Sequence, residues 1–135
     1  MAWITPKTNW TSSDYYNFAD LNRVENNINE LRIYLVSIGY VIPVITVNTT
    51  RINTSYDLVS SINRIENNIN TIRLAFVTPG DWQSTIVWDH TVKFTEVSAN
   101  RWESSVFSLY TLAQNVFASF TYSGTFGCGN QGGLA

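Results

Sequence analysis

The sequence predicts a mainly α-helical fold with extended or β arms, in which three repeated heptad helices form a small bundle. Three observations lead there. A nine-residue block, Leu21-Asn22-Arg23-Val24-Glu25-Asn26-Asn27-Ile28-Asn29, recurs 41 residues later as Ile62-Asn63-Arg64-Ile65-Glu66-Asn67-Asn68-Ile69-Asn70. A third copy, Ala99-Asn100-Arg101-Trp102-Glu103-Ser104-Ser105-Val106, follows after a further 37 residues. Apolar residues in all three step alternately by three and four, which is the seam of a heptad helix and not the period of two that a strand requires.

The first seam reads Leu21, Val24, Ile28, Leu31, Leu35, Ile38; the second Ile62, Ile65, Ile69, Ile72, Phe76; the third Ala99, Trp102, Val106, Leu109, Ala113, Val116. Start and stop signals bound each helix. Asn17, with Asp20 three residues on, is a capping pair for the first; Ser55 or Asp57 serves the second; Thr95, followed by Glu96, serves the third. Gly39 and Pro79-Gly80 end the first two. The predicted helices span residues 17–38, 57–76 and 95–117.

Helices of this length are marginal alone in water and need partners along their seams. The linkers between them run to roughly 17 residues, whereas antiparallel neighbours need only about 2–8. Such a linker, extended, reaches about 55 Å, enough to return along a helix about 30 Å long. Three parallel helices closing a pseudo-threefold bundle within one chain are therefore possible; seams that pair between chains are the alternative. Val41–Val47, Ser84–Trp88 and Thr91–Phe94 read as extended, β-type stretches. Residues 1–16 read as an extended N-terminal arm around Pro6, residues 17–118 as the three-repeat module, and 119–135 as an extended tail that turns Gly-rich after Phe126. Such arms pack on their own bundle or add to a neighbour.

Composition narrows the function. Charged residues make up 13% of the chain, about half the usual share of roughly 25%, which fits either an Asn/Ser/Thr-rich solvated surface or one covered by other subunits. The net charge of -2, with eight Lys and Arg in all, offers no basic footprint for nucleic acid. Cys128 is the single cysteine, so no disulfide forms within the chain. No Sec-type leader and no apolar run of membrane-spanning length is seen.

The recurring Asn-Arg-x-Glu carries the candidate site: Asn22, Arg23, Glu25; Asn63, Arg64, Glu66; Asn100, Arg101, Glu103, with Trp102 in the seam. Arg and Glu two residues apart cannot pair well on one helix. They flank the seam on opposite sides, so in a parallel bundle each Arg could meet the Glu of a neighbouring helix and close a ring of charge-assisted contacts. Three separate solvated charges are the other reading. Trp102 reads as core, or as a wedge for another subunit. A metal site from the three glutamates is disfavoured by the Arg beside each and by the lone His90; no cofactor is expected. His90 with Cys128 is the one pair that could supply a base and a nucleophile, and no motif brings them together.

Trp3-x-x-Pro6-Lys7-Thr8-Asn9-Trp10, Asp14-Tyr15-x-Asn17 and Asp20–Asn27, with Asn100–Glu103 and Tyr122–Gly129, resemble small tail and baseplate-region proteins of phages and prophages of Gram-positive bacteria. The resemblance covers most of the chain in patches. It implies a non-enzymatic virion structural protein, made in the bacterial cytoplasm and placed in the tail region. Its partners would be other tail or baseplate proteins, with self-association possible and no nucleic acid or membrane insertion. Val24 stands where Ile is usual, and Ser104-Ser105 replaces Asn-Asn, which puts full equivalence of the three helices in doubt. The alternatives are head or neck decoration and a fibre module that binds cell-wall glycan, with Trp82, Trp88 and Tyr122 stacking on sugars.

Overall fold

The computed structural model describes residues 3–14, 17–52, 59–80, 82, 86–89 and 95–124, with backbone alone at 59 and 120–124. Three helices occupy it: α1 (Phe18–Ser37), α2 (Val59–Ala75) and α3 (Glu96–Gly124). α1 begins as its capping pair dictates. The Asn17 side chain accepts from the N–H groups of Ala19 and Asp20, and the Asp20 carboxylate accepts from the Asn17 N–H at 2.8 Å. It ends at Gly39, whose φ of 108° lies in the left-handed region that favours glycine. The carbonyl of Leu35 then accepts from Tyr40 N–H at 3.0 Å. The α3 start is equally direct: the Thr95 carbonyl receives the Ala99 N–H at 3.0 Å. The caps expected for α2, Ser55 and Asp57, lie outside the described residues.

The third helix departs from expectation. It runs seven residues past 117, so residues 119–124 are helical and not an extended tail. The cause is visible in the repeat. Gly39 and Gly80 stand at equivalent positions after α1 and α2, and the third copy has Phe117 there. Nothing releases the backbone, and the helix continues.

The helices run parallel and in register. Arg and Glu of the three repeats meet at one level, described below. At a second level the ring of Tyr40, just past α1, meets Phe76, just past α2, edge-on at 4.8 Å, and Tyr34 of α1 meets Phe117 of α3 at 6.3 Å. All three pairs of helices touch within the one chain. Equivalent seam residues form layers: Val24, Ile65 and Trp102; Ile28, Ile69 and Val106; Leu31, Ile72 and Leu109. Trp102, wholly buried, stands in a repeat that has the small Ala99 and Ala113 where the first has Leu21 and Leu35.

Between the helices the chain lies along the bundle surface. Residues 3–10 pack against α1 and α3, with Trp3 stacked on Tyr110 at 3.9 Å. Residues 40–52 pack against α1 and α2, with Ile42 buried. No strand forms among the described residues, although Val41–Val47 and Ser84–Trp88 have β-type composition. In place of a neighbouring strand, Arg32 donates to the carbonyls of Ile42 and Pro43, Asn68 to that of Thr46 and Asn63 to that of Trp88. Leu109 is fully buried in its layer; Leu109→Ala is expected to cost about 2–5 kcal/mol of unfolding free energy, read as a lowered urea midpoint at unchanged slope.

Candidate functional site

Each repeat uses its first Asn in the same way. Asn22, Asn63 and Asn100 are each the fifth residue of their helix, beside a passing non-helical segment, and a carboxamide has both an acceptor and a donor to offer it. Asn100 accepts from Trp10 N–H at 2.7 Å and donates to Trp10 C=O at 3.0 Å. Asn63 does the same to Trp88, at 2.7 and 2.9 Å. Asn22 does the same to Arg51, at 3.1 and 3.0 Å. The second Asn of the Asn-Asn pair repeats the device one turn on. Asn27 accepts from Ile4 N–H at 2.9 Å and donates to its carbonyl at 2.7 Å, and Asn68 donates to Thr46 C=O at 2.8 Å.

The segment residue held by each Asn sends its side chain inward to the Glu of the same repeat. Trp10 Nε1–H donates to Glu103 at 2.7 Å, Trp88 Nε1–H donates to Glu66 at 2.8 Å, and the Arg51 guanidinium pairs with Glu25. The Arg of the following repeat reaches the same carboxylate. Arg64 meets Glu25 at 2.7 Å, Arg101 meets Glu66, and Arg23 closes the ring on Glu103 through Nε and Nη2 at 2.8 and 2.7 Å. The order is cyclic: α2 to α1, α3 to α2, α1 to α3. Trp102 adds its own Nε1–H to Glu66 at 2.8 Å, so its seam position also satisfies the indole donor.

Burial makes these contacts consequential. Glu25, Glu66 and Glu103 are almost wholly buried. A carboxylate taken out of water is tolerated only if paired and hydrogen-bonded, and every one of the three has at least one guanidinium and two further donors or a second guanidinium. The bond to Glu103 is the largest influence that pushes the Arg23 pKa up, against an opposing effect of burial; Asp20, 3.0 Å away, adds to the rise.

The structure brings together all ten residues the repeat singles out: the three Asn, three Arg, three Glu and Trp102. Sequence reasoning missed the other half of the site, Trp10, Arg51 and Trp88, and the clamping role of Asn27 and Asn68. A signal was present. Trp10, Arg51 and Trp88 stand 41 and 37 residues apart, the same two offsets as the helical motif, but Arg replaces Trp in the middle copy and hides the match.

His90 and Cys128 lie outside the described residues. Among those described, no grouping of three His, Cys, Asp or Glu residues could hold a metal ion, and no helix is long and apolar enough to cross a membrane. A shallow hollow of about 350 Å³ beside α3 is lined by Pro79, Gly80, Phe107, Ser108, Thr111 and Leu112, with no acid or base on its wall. Of the aromatics suited to stacking on sugars, Trp88 is buried against Glu66, Trp82 is half-buried near the Arg73 guanidinium, and the Tyr122 side chain lies outside the described residues. No protein family, curated protein or solved structure matches the chain.

The three arginines are not equivalent. Removing Arg101 leaves buried Glu66 with two indole N–H groups and no guanidinium, an uncompensated charge that costs about 3–5 kcal/mol. Removing Arg64, whose side chain is 28% exposed against 8% for Arg101, leaves Glu25 still paired with Arg51 and costs about 1 kcal/mol. Arg101→Met should therefore lower the urea midpoint far more than Arg64→Met; equal losses would contradict the pairing scheme.

Proposed function

We propose that this chain is a non-enzymatic structural subunit of a phage or phage-derived tail, in the tail or baseplate region, whose task is to hold neighbouring subunits in place. The observation that carries the reading is the cyclic Asn-Arg-Glu clamp. The polar residues that recur through the chain, the ones a catalyst would use as acids, bases or ligands, are spent on fixing three helices and their connecting segments to one another. That is the chemistry of a rigid spacer.

The surface supports a partner-covered role. Ile33 and Val36 on α1 and Leu74 and Val77 at the end of α2 occupy equivalent places in the first two repeats, and all four are exposed. Apolar exposure repeated in register marks an interaction surface more than scattered exposure does. From Ser104 to Ala135 the chain carries no charged residue at all, so the distal part of α3 offers a partner an uncharged face with no ion to desolvate. The resemblance of the Trp3–Trp10, Asp20–Asn27 and Asn100–Glu103 stretches to tail and baseplate-region proteins supplies the context.

The test is direct. Particles released from an induced lysogen that encodes this chain are purified on a density gradient and probed by mass spectrometry and by gold-labelled antibody. The chain is expected in the particle band, with label at the tail and not at the head. Its absence from intact particles would refute the structural reading, and label confined to the head or neck would move it to a decoration role.

A further inference from the structure

Residues 3–10 differ from the other two clamped segments in one topological respect. Residues 40–52 and 86–89 are connected at both ends to helices of the bundle. Residues 3–10 precede α1, the first helix of the bundle, and join it through residues 11–17. Yet their contacts are as specific as the others. Asn27 grips both backbone groups of Ile4, Asn100 grips both of Trp10, and Glu103 accepts from Lys7 N–H at 3.0 Å and from the Trp10 indole at 2.7 Å. The groove between α1 and α3 is in effect a peptide-binding groove whose peptide happens to be covalently attached.

We propose that the α1–α3 groove also takes residues 3–10 of a second copy of this chain, so that neighbouring subunits are joined by exchange of this segment. The inference rests on the reading of the chain as an assembly subunit and names the junction. Three observations carry it. Opening the segment does not strand a charge: Glu103 keeps its two-point bond to Arg23 when Lys7 and Trp10 leave. The corresponding loss at Glu25 would leave Arg64 in place but take away Arg51, a charged partner where Glu103 loses only neutral donors. The middle of the segment is open to solvent at Thr8 and Asn9, and its anchors are two tryptophans, Trp3 and Trp10, so release is a local event.

The connection also starts in an exposed turn. Thr11–Asp14 form an exposed turn, with Asp14 N–H bonded to Thr11 C=O at 3.0 Å and Thr11 N–H to the Asp14 carboxylate at 2.9 Å. The seven residues from Thr11 to Asn17, extended, span about 23 Å, roughly two helix diameters. Lys7, which sits over the Trp10 ring at 4.3 Å, moves with the segment. Because the exchanged contacts equal those made within one chain, concentration decides between them. The attached segment competes at an effective concentration on the order of millimolar, a level that subunits packed in a particle can match.

Removing that competition gives the experiment. Two full-length variants are made, Trp10→Ala, whose groove is intact, and Asn27→Ala/Asn100→Ala, whose segment is intact. Circular dichroism verifies that both are helical. Light scattering should show each alone as a monomer and the equimolar mixture as a species of twice the mass, in which the second variant's segment fills the first variant's groove. A mixture that keeps the monomer mass overturns the proposal. Should either variant fail to fold, wild-type chains with two different tags are mixed at millimolar concentration and recovered on one tag. Co-recovery that excess synthetic peptide of residues 3–10 abolishes is the expected result. No co-recovery, or co-recovery that the peptide leaves untouched, overturns it. A chain present in particles that fails these tests loses the exchange and keeps the structural role; one that passes them and is absent from particles does the reverse.

Discussion

A buried carboxylate is an obligation, and this fold is arranged around three of them. Glu25, Glu66 and Glu103 sit inside a bundle that would otherwise be an apolar seam. Each must be met by donors from elsewhere in the chain, because leaving it bare would cost several kcal/mol, a large fraction of the stability of a small domain. The donors come from two places at once: the Arg of the next helix and the side chain of the segment that leads into that helix. Satisfying the charge therefore fixes helix order, helix direction and register together. An apolar seam alone tolerates sliding by a heptad; three carboxylates with assigned partners do not.

The structural unit is consequently larger than the helical repeat. It consists of a segment and the helix that follows it, and it is completed by the helix before it. Trp10 precedes α1 and docks on α3; Arg51 precedes α2 and docks on α1; Trp88 precedes α3 and docks on α2. Every junction thus spans two units, and the last helix finds its partner in the first segment of the chain. Such an arrangement is the single-chain counterpart of a trimer of segment–helix units, and it explains why the module needs three copies: two would leave a carboxylate and a groove unmet.

The copies are not identical, and the departures are physically coherent. In the first repeat an Arg takes the place of the Trp donor at Glu25, so that carboxylate carries two guanidinium partners. In the second, Glu66 has one Arg and two indoles, one of them Trp102 from the seam. In the third, Glu103 has Arg23, the Trp10 indole and a backbone N–H. Every carboxylate keeps a guanidinium from the next helix, while the remaining donors change in number and chemistry.

Much of this architecture was determined by the sequence alone. The heptad spacing and the Asn17–Asp20 and Gly39 signals define helices because periodicity and capping are local properties, decided within a few residues. The recurrence of Arg and Glu on opposite flanks of the seam told that they look outward to neighbours, since two residues apart on a helix they cannot face each other. What only the tertiary structure decided is where the intervening segments lie. Val41–Val47 has the composition of a strand, but a strand needs a partner ladder, and at this place the partners are the side chains of Arg32 on α1 and Asn68 on α2. Trp10, Arg51 and Trp88 became equivalent only when each was seen to fill one role, because the geometry of a clamp accepts an indole or a guanidinium and residue-by-residue comparison does not. Local spacing settles the elements; long-range satisfaction of buried polar groups settles how they close.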